Sequence, residues 1–98
     1  MSKHRQAAKV DANQSEIVAA LRKAGYSVEV GHDDILVGYQ GKTYWYEIKD
    51  PEKLFKNDGT FRAGQIKDSQ YKLQGEFKGH YKIVWNVDMI FNDIAGKA

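Results

Sequence analysis

The stretch "DILVGYQGKTYWYEIKD", residues 34–50, decides the fold. Two runs rich in β-branched and aromatic residues, 34–39 and 42–49, flank Gln40-Gly41. Such runs favour strands, and a glycine-containing pair between them is a two-residue hairpin signal. With Gln40 and Gly41 as the turn residues, Tyr39 opposes Lys42, Leu36 opposes Trp45 and Asp34 opposes Glu47. Directly opposed side chains share a face, with Cβ atoms about 5 Å apart. Lys49 lies two residues beyond Glu47, so it shares that face too. One end of the ribbon therefore gathers Asp34, Glu47 and Lys49.

Outward from the hairpin, the spacing of Ile17, Val18, Leu21 and Ala24 predicts a helix over 13–24, with Asn13 as its cap and Gly25 as its left-handed stop. "YSVEV" at 26–30 alternates and reads as a first strand. Periodicity disappears from 50 to 64, where Pro51, Asn57-Asp58-Gly59 and Gly64 signal turns, and a loop of this length inside a small domain is often functional. A second helix is expected over 65–77, carrying Ile66, Leu73 and Phe77 on one face. "HYKIVWNV" at 80–87 reads as a fourth strand, and Asp88 as the cap of a final helix carrying Ile90, Phe91 and Ile94. The order is α-β-β-β-α-β-α. Three consecutive strands form an antiparallel meander, and the fourth joins in parallel by a right-handed crossover. Apolar residues on both faces of the central strands imply an α/β architecture, a four-stranded mixed sheet with helices on both sides.

Composition narrows the function. The 98 residues suit one domain, and 42% apolar residues suffice for a core. The absence of cysteine excludes a disulfide framework, a thiolate zinc site and a cysteine nucleophile. Three scattered histidines make no metal-ligand pattern. No apolar run approaches the roughly 18 residues of a membrane span, which predicts a soluble protein of the cytoplasm without a membrane partner. Fifteen basic against thirteen acidic residues leave a net charge of +2, too mild to name a partner. By position, residues 1–10 form a basic arm with Lys3, Arg5 and Lys9. Lys53, Lys56, Arg62 and Lys67 accompany the long loop. As groups these are candidate contacts to DNA phosphates.

Two like charges directly opposed are destabilising. Either one carboxyl is protonated or a cation sits between them. A hard divalent cation, Mg²⁺ or Mn²⁺, prefers oxygen ligands and few protein carboxylates, and supports phosphodiester chemistry. Lys49 could orient the attacking water or neutralise developing charge. The bland alternative is a solvated surface ion pair.

These residues carry a resemblance. "HDDILVGY…YWYEIKDP" resembles the core of the PD-(D/E)XK nuclease superfamily. With "DANQSEIVAALRKAGYSV" before it and "KDSQYKLQ" after it, the chain is similar to small stand-alone VRR-NUC-type phage nucleases from about residue 5 to 88. The resemblance implies a restriction-endonuclease-like αβββαβ core and metal-dependent hydrolysis of DNA. It carries the metal-binding acids onto Asp34 and Glu47, a further metal ligand onto the carbonyl of Ile48, and the catalytic lysine onto Lys49. Asp33 stands where the family has proline and competes with Asp34. The fourth strand lacks the family's late basic residue. Glu16 is either the reciprocal member of a capping box with Asn13 or, by resemblance, a first-helix glutamate near the metal. Gln70, on the second helix's apolar stripe, is either a backbone-bonded amide or, by resemblance, aimed at the metal site. His32 is a turn residue or a proton donor. Tyr44, Trp45, Tyr46 and Trp85 read as core or dimer surface.

The expectation is a Mg²⁺- or Mn²⁺-dependent endodeoxyribonuclease, a homodimer selective for branched DNA in the manner of junction resolvases, acting in phage replication, recombination or repair. The rivals are a flap or single-strand nickase needing a partner, and a catalytically silent nucleic-acid-binding module.

Overall fold

A computed structural model describes residues 12–97; the expected basic arm with Lys3, Arg5 and Lys9 lies outside them. Helix α1 (Ala12–Lys23) leads into strands β1 (Ser27–Val30), β2 (Asp34–Tyr39) and β3 (Lys42–Ile48). A one-turn helix α2 (Pro51–Leu54), helix α3 (Asp68–Glu76), strand β4 (Tyr81–Val84) and helix α4 (Val87–Lys97) follow. The four strands form one sheet in the order β1-β2-β3-β4, antiparallel except for the parallel pair β3 and β4.

The hairpin register is the expected one: Asp34 opposes Glu47, Leu36 opposes Trp45 and Tyr39 opposes Lys42. Gln40 and Gly41 both take positive φ, +52° and +80°, the primed turn whose twist matches two-residue hairpins. Gly25 at φ +96° closes α1, with Gly25 N–H donating to Arg22 O and Tyr26 N–H to Leu21 O, a Schellman pair.

Alternation gives the sheet two unlike faces. On one, Val28, Ile35, Val37, Tyr44, Tyr46 and Ile48 pack against Ile17, Val18 and Leu21 of α1 and Ile90 and Ile94 of α4. This is the core. The other face carries Asp34, Leu36, Trp45 and Glu47. It is covered over β3 and β4, where the Phe77 ring meets Trp45 edge-on and Gln74 accepts from the Ile83 N–H. Over β2 it is open, and Leu36 is exposed. The expected apolar stripe of the second helix therefore needs correction. Helix α3 buries no residue, Ile66 precedes it, and Phe77 is its C-cap.

Other boundaries also differ for physical reasons. Asn13 does not cap α1, which begins at Ala12; its side chain instead donates to Lys49 O at 2.9 Å, tying the helix start to the end of β3. Residues 50–64 are not structureless. Asp50 caps α2 through its side chain with Pro51 in the first turn, and Phe55 bridges Phe61 in a small hairpin. Asn86, not Asp88, caps α4, its Oδ1 accepting from Met89 N–H.

One polar network pins α4 to the sheet. Asp93 accepts from the Tyr46 hydroxyl at 2.7 Å, pairs with His80 and lies 3.7 Å from Lys82 Nζ. Burial pushes the Asp93 carboxyl up, but these donors together outweigh burial and hold it below its ordinary value. Burial, then the bond to Asp93, raises the Tyr46 hydroxyl far above its usual range. Tyr46→Phe is expected to cost about 1.5–3 kcal/mol in urea unfolding at neutral pH, the usual magnitude for a hydrogen bond to a charged group. A carboxyl held low stabilises the fold above its ordinary value of 3.8, and the gain fades as pH falls below it. The wild-type advantage over Tyr46→Phe should shrink across that acidic window.

Candidate metal and phosphodiester site at the end of the β2–β3 ribbon

Asp34 opens β2 and Glu47 lies one residue from the end of β3, so the antiparallel pairing brings them face to face. Lys49 continues the same face, with its Nζ 3.9 Å from Glu47 Oε2. All three expected chemical groups thus meet at one end of the ribbon.

Neighbours that the sequence reading did not assign to the site fix these groups. Trp45, diagonal to Asp34 in the register, donates its indole N–H to Asp34 Oδ2 at 2.8 Å. Gly31 passes so close to this carboxylate that a Cβ there would stand 2.1 Å from Asp34 Oδ1. Tyr81, brought alongside Trp45 by the parallel β4, interacts with the Glu47 carboxylate. Trp45 was legible as a diagonal neighbour once the register was set. Tyr81 was not, because a crossover does not fix register.

Glu47 is 8% exposed, and burial pushes its carboxyl above the ordinary glutamate value. The Lys49 charge opposes that rise; the Asp34 and Asp33 charges add to it. Tyr81 is pushed up to about 12 by burial and by the same two facing acids, Glu47 and Asp34. An ionised Glu47 is therefore held against desolvation and repulsion, the condition in which a further positive charge is most stabilising.

The donor set suits one kind of ion. Two opposed carboxylates supply hard oxygen ligands, and among the described residues no cluster of three or more His, Asp or Glu converges to complete an all-protein cage. Mg²⁺ is typically held by one or two carboxylates together with water and substrate phosphate, whereas structural zinc takes four protein ligands. Asp34 and Glu47 could hold such an ion.

The remaining expected residues divide. Asp33 lines a cavity of about 200 Å³ together with Ile48, Lys49, Asp50, Lys53 and Gln65, whereas Asp34 lines a separate recess with Glu29 and Gly31. Asp33 also pairs with His32 Nδ1 at 3.1 Å, both well exposed. Glu16 is exposed on α1, and α1 packs against the core face rather than the acid face. Gln70 is not directed at the acids: its Oε1 accepts from Lys67 N–H at 3.0 Å at the start of α3. This is the backbone-bonded alternative, and only the reciprocal half of a capping box, since a lysine side chain offers no acceptor. Lys53 borders the cavity, while Lys56, Arg62 and Lys67 are exposed.

Side-chain carboxyl titration by NMR checks the electrostatics. Glu47 should titrate above its ordinary value of 4.5. Asp34→Asn should bring the midpoint down by removing a like charge, and Lys49→Met should move it further up. A midpoint insensitive to both changes would contradict the facing geometry.

Comparison with protein-family models, characterised proteins and solved structures finds no match.

Proposed function

We propose that the protein is a divalent-cation-dependent endodeoxyribonuclease that hydrolyses a phosphodiester at the Asp34, Glu47 and Lys49 end of the ribbon, in keeping with the resemblance to PD-(D/E)XK nucleases. One observation carries the reading: two acids stand face to face across a strand pair with a lysine ammonium on the same face. A bound Mg²⁺ or Mn²⁺ would withdraw charge from the phosphodiester and offset the charge that builds in the transition state.

The chain's own groups have definite parts in this reading. Lys49, largely buried, places a positive charge where the non-bridging phosphate oxygens become more negative. Trp45 and Gly31 hold the Asp34 carboxylate in one orientation. Water adds to phosphorus in line, the bond from phosphorus to the 3′ oxygen breaks, and a proton passes to that oxygen. The products are a 5′-phosphate and a 3′-hydroxyl. One small chain offers one such site, so paired cuts in branched DNA would require two copies related by a two-fold axis. Among the described residues no helix is long and apolar enough to cross a membrane.

A second reading, a metal-independent nucleic-acid-binding module, is favoured by one feature. The acids already have protein partners, Trp45 for Asp34, and Lys49 and Tyr81 for Glu47.

Four-way junction, flap, single-stranded and linear duplex DNA, each incubated with Mg²⁺, Mn²⁺ or EDTA, separate the two. The nuclease reading expects cation-dependent cuts, fastest on branched DNA. It expects Glu47→Gln and Lys49→Met each to slow cutting by about a hundredfold or more, the scale of losing one electrostatic stabiliser. Gly31→Ala should fold normally yet cut slowly, because its methyl group displaces the Asp34 carboxylate. In parallel, Mn²⁺ should broaden the amide resonances of Asp34 and Glu47. Binding without cutting, and without that broadening, would select the binding module.

A further inference from the structure

The chain from 54 to 67, expected as a loop to 64 and a helix from 65, builds a second surface. Phe55 and Phe61 stack with ring centroids 5.2 Å apart, and Trp85 braces both rings edge-on. Backbone bonds from Lys56 N–H to Thr60 O and from Arg62 N–H to Leu54 O close the hairpin, and Asp58 accepts from Thr60 at its tip. This scaffold presents an open groove of about 470 Å³, lined by Phe61, Arg62, Ile66, Lys67, Asp68 and Tyr71. Its volume falls in the range of small-ligand sites, about 300–1,000 Å³.

The lining has an unusual combination. Phe61 is 49% exposed and Tyr71 51% exposed, two large rings left to solvent in one groove. Arg62 and Lys67 have no carboxylate partner among the described residues, and Asp68 leaves the groove with a net positive charge. Exposed rings beside cations whose charge no carboxylate offsets, the Arg62 guanidinium donating only to the Phe55 carbonyl, match the chemistry of an unpaired nucleotide: a flat base to stack and a phosphate to neutralise. A duplex offers phosphates but keeps its bases stacked internally. Along the chain the groove follows directly on the cavity that Asp33 and Lys49 line, since Gln65 borders that cavity while the next residue, Ile66, lines the groove.

We propose that this groove binds an unpaired nucleotide of single-stranded DNA, Phe61 and Tyr71 stacking on a base while Arg62 and Lys67 contact its phosphates. The binding claim stands on the groove alone; only the assignment of that nucleotide as the neighbour of a scissile phosphate rests on the nuclease reading. A requirement for unpaired bases beside the cut would explain selectivity for branched over linear DNA.

Fluorescence anisotropy in EDTA, where cutting cannot interfere, tests it on the full chain. The probe is a fluorescein-labelled oligothymidylate of about twelve nucleotides, with a duplex of the same length and poly-glutamate as comparisons. The oligothymidylate should bind more tightly than either. Tyr71→Ala should weaken it by about tenfold, within the range of losing one stacked base. Tyr71 has no ring partner among the described residues, so the variant's thermal melting should match wild type. Phe61→Leu keeps an apolar contact to Phe55 and should weaken binding similarly. Arg62→Gln should flatten the salt dependence. Equal affinity for duplex or poly-glutamate, absent binding, or wild-type affinity in both Tyr71→Ala and Phe61→Leu would overturn the groove. Selective binding in a protein that never cuts would leave the groove standing and the nuclease reading refuted.

Discussion

The two-residue turn at Gln40-Gly41 is the constraint on which the rest depends. Both residues sit at positive φ, which only a primed turn requires, and that turn sets the β2–β3 register. Because side chains alternate with period two, a slip of one residue would turn one strand over relative to the other. Ile35, Val37, Tyr44 and Tyr46 could not then all face the core, and Asp34 and Glu47 could not share a face. Core and candidate site are therefore two consequences of one register.

The two faces of the sheet divide the work. The apolar face buries α1 and α4, and the Tyr46, Asp93 and His80 network joins strand to helix where hydrophobic contact alone would leave a buried hydroxyl unpaired. The opposite face is only half covered. Cover over β3 and β4 takes Glu47 out of water and raises its carboxyl, while the part over β2 stays open to solvent at Leu36. Lys49 offsets part of that electrostatic cost, and the cost itself is what a bound cation would relieve.

Legibility followed the range of the interactions. The ribbon and the Asp34, Glu47 and Lys49 group could be read because turn chemistry and alternation act within a few residues. The Asp50-Pro51 cap of α2 was equally local, a capping acid followed by proline, but the surrounding glycines and turn signals obscured it. Asn86 and Asp88 are both good caps, and only the bond to Met89 N–H distinguishes them. Gln70 lay on a plausible apolar stripe, yet that helix buries no residue against the sheet, and its amide serves the backbone at the helix start. Asn13 looked like a cap because cap residues are short and polar; its distant partner, the Lys49 carbonyl, exists only once α1 has docked.

By itself the sequence determined the strand pairing, the faces of the hairpin and the meeting of two acids with a lysine, because backbone geometry and side-chain period dictate those locally. Tertiary structure decided which groups surround them. Tyr81 reaches Glu47 through a crossover of some thirty residues, and the Phe55, Phe61 and Trp85 rings meet across a similar separation. No local rule sets such distances; they follow from how helices and loops close over a finished sheet, where burial and charge are settled by contacts among distant parts of the chain.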